Sequence, residues 1–198
     1  MQAVVKRMSV AVLTAGVLAA GMAAPALAHT GVGAVHGLQA GLLHPLLGAD
    51  HVLAMVAVGL WAGLVGGKAR LAYPLAFVAM MLVAGLWGMS GAALPGVEIG
   101  IAVSVIVLGL AIALKATPPL AAGAAACAIF AIFHGHSHGA ELPDGAGAFS
   151  YAAGFVLATV ALHCAGLAAA GALAQRAPLL ARVAGGGLAL AGIAILAS

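Results

Sequence analysis

"LAYPLAFVAMMLVAGLWGMSG", residues 71–91, runs for 21 residues without a charged side chain. At a rise of about 1.5 Å per residue, a helix of that length covers roughly 30 Å, the thickness of a bilayer's hydrocarbon core. The stretch is continuously apolar instead of alternating, which argues against a barrel strand. Comparable runs recur along the chain. Across its 198 residues, 65% are hydrophobic and only 6% are charged, with a mean hydropathy of +1.24. A soluble domain carries roughly 25% charged residues. The fold class predicted is therefore all-α, a polytopic membrane protein.

The N-terminus reads differently from the rest. Lys6 and Arg7 precede an apolar stretch from Met8 to Ala24, and Pro25-Ala26-Leu27-Ala28 then offers a small-residue cleavage site. Residues 1–28 are read as a cleavable secretory signal peptide, an uncleaved first span being the alternative. Residues 29–198 form a single membrane domain with six transmembrane helices, drawn at about 45–66, 71–91, 97–115, 118–138, 147–174 and 179–197.

Basic residues orient these spans. Lys6 and Arg7 precede the signal, Lys68 and Arg70 separate spans one and two, Lys115 separates three and four, and Arg176 and Arg182 separate five and six. All fall on one side, which the positive-inside rule makes cytoplasmic, so both mature termini lie on the other side. The four acids, Asp50, Glu98, Glu141 and Asp144, fall at or near the outer ends, as do seven of the eight histidines. Removing Lys6 and Arg7 lowers the formal charge from +3 to +1, which leaves no support for nucleic-acid binding. Cys127 and Cys164 sit in apolar runs without a CxxC spacing, so packing is their expected role. Gly59, Gly63 and Gly67 repeat every four residues as a small-residue stripe, and Gly185-Gly186-Gly187 marks a weak point in the last span.

The chemistry is concentrated in "FHGHSHGAE", residues 133–141. On a helix His134, His138 and Glu141 share one face, and His136 points away. Gly135 and Gly139 weaken that helix and Pro143 ends it, so part of the motif is expected to unwind. A second set lies in "HPLLGADHVLAM", residues 44–55, where His44 and His51 superpose on one helix face and Met55 follows by a turn. Pro45 suits the first helical position, which puts His44 at the start of the span. Asp50, about 100° round from that face, either ligates directly or fixes an imidazole tautomer.

Imidazole and carboxylate together suit a divalent first-row ion such as nickel, cobalt or zinc. A histidine at a membrane interface is often only an anchor, and a histidine-rich loop can be a nonspecific metal trap. A carboxylate several residues into a span is costly unless it pairs or lines a pathway, which favours function for Asp50 and His51. Glu98, at the start of span three, has a weaker claim. His163, near the middle of span five beside Thr159 and Cys164, is a relay candidate or else a buried histidine bonded to a neighbouring helix. Cleavage after Ala28 would give His29 a free amine that can chelate together with its ring.

These residues resemble a known family. "HPLLGADH", "FHGHSHGAELP" and "GFVLATVALHCAG" are similar to elements of the HupE/UreJ family of small nickel permeases, and the resemblance covers nearly all of the mature chain. It implies a six-helix secondary transporter carrying nickel, or in some members cobalt, across the inner membrane from periplasm to cytoplasm for hydrogenase or urease maturation. The transported ion is then substrate, and no cofactor is bound permanently. By motif, His44, Asp50 and His51 match the first element, His134, His138 and Glu141 the second, and Glu98 corresponds less securely to an acidic residue near the third span. Ser137 stands where the family commonly has Ala, and His136 is an extra donor, which bears on metal preference.

The partners expected are a divalent metal ion and membrane lipid; a homo-oligomer is among the arrangements the sequence allows. Two other classes use the same residues. An intramembrane zinc-dependent hydrolase would hold zinc tightly with an open position and a carboxylate base. A metal sensor would bind without flux. The chain has no HExxH and no GxxxxGK[ST] loop, so transport without direct use of ATP is preferred.

Overall fold

The computed structural model describes residues 37–198, apart from the side chains of residues 174–176. The signal-peptide reading of residues 1–28, and His29 with it, lies outside the described residues. Seven helices follow in order: α1 Gly37–Leu47, α2 Ala49–Val65, α3 Ala69–Met89, α4 Val97–Ala113, α5 Leu120–Ala140, α6 Ala148–Arg176 and α7 Pro178–Leu196. No strand occurs among the described residues. Four of them, α3, α5, α6 and α7, are each long and apolar enough to cross a membrane, and the α1–α2 pair makes a fifth if its two parts are one span. α4, with 17 residues, is at the lower end of the length a bilayer needs.

Apolar residues occupy both the inner and the outer faces. On α3, Tyr73, Phe77, Met81, Ala84 and Gly85 are buried, while Leu71, Leu75, Val83 and Leu86 are exposed. A helix that is hydrophobic all round belongs in lipid, since exposed apolar surface of this extent is a liability in water.

Glycines set which helices meet. A Cβ at Gly135 would strike the carbonyl of Met81, and one at Gly139 the carbonyl of Gly85, so α3 and α5 touch backbone to backbone. The contact pairs advance together from Tyr73 on Gly123 to Gly88 on His136, so the two helices run in the same sense. α2 and α6 also run in the same sense, with Gly59 against the carbonyl of His163 and Gly166 against that of Val56. α4 and α7 are antiparallel, with Gly109 on Ala189 and Gly192 on Ile106. Successive helices from α2 to α7 therefore alternate in direction. Such close approach replaces the hydrophobic drive that is missing between helices in lipid.

This alternation sorts the polar ends. Trp61 Nε1 donates to the carbonyl of Ala116 at 2.9 Å, and Arg182 Nε donates to that of Ala113 at 3.0 Å. The α2–α3 and α4–α5 loops, with Lys68 and Lys115, thus share one end with Arg182. The start of α2 and the end of α5 meet at the opposite end, with the rings of His51 and His138 4.7 Å apart.

Several expectations need correction. The first span is not one helix beginning near Pro45: Pro45 lies within α1, Gly48 adopts an extended conformation, and α1 and α2 meet at 82°. A proline in the last turn removes a backbone donor and clashes with the preceding turn, and an extended residue then breaks the ladder. His44 consequently sits in the last turn of α1 and shares no helix face with His51. The histidine motif of α5 does not unwind, since the helix continues to Ala140. Glu141 lies just past that end instead of on its face. Gly67 falls outside α2 with φ +53°, so the small-residue stripe ends at Gly63, which packs on Ala170. α7 is unbroken through Gly185-Gly186-Gly187, because Gly185 is packed against Gly109 and Ala113.

Candidate functional site

The break between α1 and α2 builds the mouth of a column of histidines. On an unbroken helix, residues seven apart are separated by about 10.5 Å along the axis. The 82° bend brings the rings of His44 and His51 to 6.2 Å. The C-terminal turn of α5 then inserts His138, whose ring centre lies 4.8 Å from His44 and 4.7 Å from His51. His134, one turn earlier, stands 4.9 Å from His51.

Exposure falls down this column. The side chains of His44 and Glu141 are 16% and 37% exposed, and Glu141 Oε2 lies 3.4 Å from His44 Nε2. Ser137 Oγ donates to the other oxygen of Glu141 at 2.7 Å, which holds the carboxylate over the end of its helix. His138 and His134 below are fully buried. Deeper again, Phe77 packs against His134 at 5.5 Å and against His163 at 5.3 Å, so it separates the cluster from the relay candidate.

Hydrogen bonds fix which ring nitrogens are left free. Asp50 Oδ1 accepts from the backbone N–H of His51 at 2.8 Å and lies 2.9 Å from its Nδ1. With the proton held on Nδ1, the lone pair of His51 is on Nε2, which is buried without a partner. Gly48 makes room for this pair, since a Cβ there would lie 2.8 Å from Asp50 Oδ1. Ser104 Oγ donates to the carbonyl of Ile101 at 2.6 Å, so its bond of 2.9 Å to His134 Nε2 has the ring as donor. That leaves the lone pair of His134 on its buried, unpartnered Nδ1. His138, stacked on Phe155 at 5.1 Å, has no partner at either nitrogen. Buried polar atoms are nearly always satisfied, and polar groups at membrane depth carry a further cost, so a run of free imidazole nitrogens calls for a ligand.

The separations are on the right scale for one. Two imidazoles sharing an ion through bonds of about 2.1 Å in tetrahedral geometry have ring centres roughly 5 Å apart. Among the described residues, however, no three histidine, cysteine or carboxylate side chains converge on a common point, so ligation by three of them would need side-chain rotation.

Of the residues singled out from sequence, the fold gathers His44, Asp50, His51, His134, His138 and Glu141. Glu98 is exposed in the first turn of α4, outside this group. His163 is buried with both nitrogens free, but one layer down. His136 turns away, bonding through Nε2 to the carbonyl of Ala92 at 2.8 Å and packing on Trp87, which ties α5 to the α3–α4 loop. Ser104 and Tyr151 were missed. Ser104 is the one hydroxyl in α4, whose only other polar side chain is Glu98 in the first turn, a signal the sequence did contain. Tyr151, with its ring 5.9 Å from His44 and its hydroxyl buried and unpartnered, is revealed only by packing.

If the cluster takes a divalent metal ion and Asp50 orients His51, Asp50→Ala should weaken that binding by about 10- to 100-fold, while Asp50→Asn, which keeps an acceptor, should lose less. Titration calorimetry on the purified variants checks this; wild-type affinity in Asp50→Ala would remove the orienting role.

Taken together, these features fit a multi-pass, all-helical membrane protein with a histidine-lined column opening at one end. A family model described as HupE / UreJ protein matches residues 17–195. The chain is also 49% identical over 179 residues to Protein HupE of Rhizobium leguminosarum bv. viciae, covering 89% of this chain and 94% of that relative. It belongs to the HupE/UreJ family. No solved structure matches the chain.

Proposed function

We propose that this protein is a secondary transporter that carries a divalent transition metal, nickel before cobalt or zinc, from periplasm to cytoplasm for metalloenzyme maturation. The observation that supports this most is the descending column of imidazoles with free nitrogens, from His44 and Glu141 at the mouth to His163. Glu141 and His44 capture a partly dehydrated ion, His51 and His138 take over its ligands, and Asp50 holds His51 in the ligating tautomer. His134 lies on the way to His163. Rings spaced for an ion but not aimed at one point bind it with a reorganisation cost. That suits a carrier, because a site that binds too firmly cannot release.

The topology proposed is six spans after a removed signal peptide, with α1 a short helix leading into the first span. The alternating helix directions support it, and α4 then spans at the minimum length. With Lys68, Arg70, Lys115 and Arg182 facing the cytoplasm, the histidine mouth faces the periplasm.

Uptake of radioactive nickel into proteoliposomes tests the function, with cobalt, zinc and magnesium as competitors. Saturable uptake, reduced by cobalt and zinc but not by magnesium, is expected. Stoichiometric binding with no flux under any ion gradient would overturn the transporter and favour a sensor. Affinity should also depend on pH. Ligation requires the unprotonated ring, so protons compete, and nickel affinity should fall once the medium is acid enough to protonate the ligating rings. Calorimetry that finds affinity rising on acidification would exclude imidazoles as the main ligands.

A further inference from the structure

Below the histidine cluster, three helices bring together a second set of donors. Thr159 Oγ1 on α6 lies 3.3 Å from the sulfur of Met55 on α2 and 3.7 Å from the sulfur of Met81 on α3. All three side chains are fully buried. His163 follows Thr159 by one turn of α6, so the two share a face. It is 2% exposed, and neither ring nitrogen has a partner. Met55 follows His51 by one turn, and Phe77, which touches both His134 and His163, precedes Met81 by one turn.

We infer that Met55, Met81 and His163, with the Thr159 hydroxyl, form a second ion-binding station beneath the histidine cluster, one that takes soft to borderline late first-row divalent ions. Its role as a stage in transport rests on the transporter reading above. Methionine commonly fills irregular gaps in a core, and that alone would explain one buried thioether. It does not explain two sulfurs from different helices converging on one hydroxyl, one turn from an imidazole with both nitrogens free.

The chemistry of the two levels differs. The mouth combines imidazole with Asp50 and Glu141, whereas none of the four groups below is a carboxylate. Thioether and imidazole favour later, softer ions, while magnesium and manganese prefer oxygen and give up water reluctantly. An ion descending the column thus leaves a charged site that attracts any divalent cation for a neutral one that retains only those tolerating sulfur. The lower station acts as a selectivity step and, lacking charge, as the weaker site from which the ion departs.

The test uses the full-length protein in nanodiscs and in proteoliposomes, wild type beside Met55→Leu/Met81→Leu. Leucine is close to methionine in volume, and such exchanges are tolerated in cores. With nickel in excess of the upper cluster, X-ray absorption at the nickel edge should show sulfur neighbours in the wild type. In the double variant the sulfur signal and one bound nickel per chain should be lost, and uptake should fall. Only nitrogen and oxygen neighbours in the wild type, or a double variant that binds and transports like the wild type, would reduce the methionines to packing and overturn the station. The two readings separate cleanly. Sulfur ligation without wild-type uptake would keep the station and sink the transporter, whereas wild-type uptake without sulfur ligation would do the reverse.

Discussion

Replacing His138 with alanine is expected to abolish nickel uptake while leaving the protein folded in the membrane. His138 touches His44 and His51 at once and has both nitrogens free, so it is the one ring that bridges the two halves of the mouth. Without it, His44 with Glu141 and His51 with Asp50 become separate two-residue sites. Losing one bidentate-like arrangement of this kind should lower affinity by at least about 100-fold, above the range for a group that merely orients a ligand. The folded structure should tolerate the change, since the lost ring makes no hydrogen bond and forfeits only its ring contacts with His44, His51 and Phe155. His51→Ala should be equally inactive for transport, and it also leaves the partly buried carboxylate of Asp50 without its ring partner. His136→Ala is the comparison that gives the result its meaning. That ring faces Trp87 and Ala92, so uptake should persist even if the α3–α4 loop loosens. Wild-type uptake in His138→Ala would show that the ion does not pass through the cluster.

The second large effect concerns assembly. Gly139→Val should prevent α3 and α5 from packing, because a Cβ there falls on the carbonyl of Gly85 and within 2.9 Å of the nitrogen of Met89. The obstacle is backbone, which cannot rotate aside as a side chain can. Overpacking that forces backbone shifts costs about 3 kcal/mol or more in severe cases, a large part of the stability of a small protein. The variant should therefore show poor recovery from the membrane and a much lower melting temperature. Gly186→Val on α7 is the paired control, since nothing lies within 4 Å of a Cβ at that position. Equal stability of the two variants would mean that the α3–α5 contact does not hold the fold together.

The residues themselves determined a good deal. Continuous apolar runs such as residues 71–91 dictate helices in lipid, because the backbone there must satisfy its own hydrogen bonds and the side chains must tolerate hydrocarbon. Five of the six spans drawn from sequence match a single helix within a few residues, α3 through α7. The rarity of polar groups also made the candidate site legible, since a histidine or carboxylate in such a chain stands out whatever the fold around it. Charge placement marked the two ends before any helix was positioned.

Tertiary structure decided how those polar groups meet. Helical periodicity put His44 and His51 on one continuous face and Glu141 on the face of His138. The structure instead breaks the first span at Gly48 and ends α5 at Ala140, so that three chain segments converge on the same few ångströms. Periodicity describes a regular helix and is silent about where one bends or stops. The glycines of the histidine motif were ambiguous for the same reason. Helix propensity makes Gly135 and Gly139 weak points, but packing uses their missing side chains to seat α5 against α3, which keeps the helix intact to its last turn. Phe77 and Met81 gained their significance only from such contacts, because each is an ordinary residue for a buried helix until its neighbours from other helices are known. Sequence fixes the solvent a segment prefers and the rarity of its chemistry, whereas the distance between groups far apart in the chain depends on which backbones can touch.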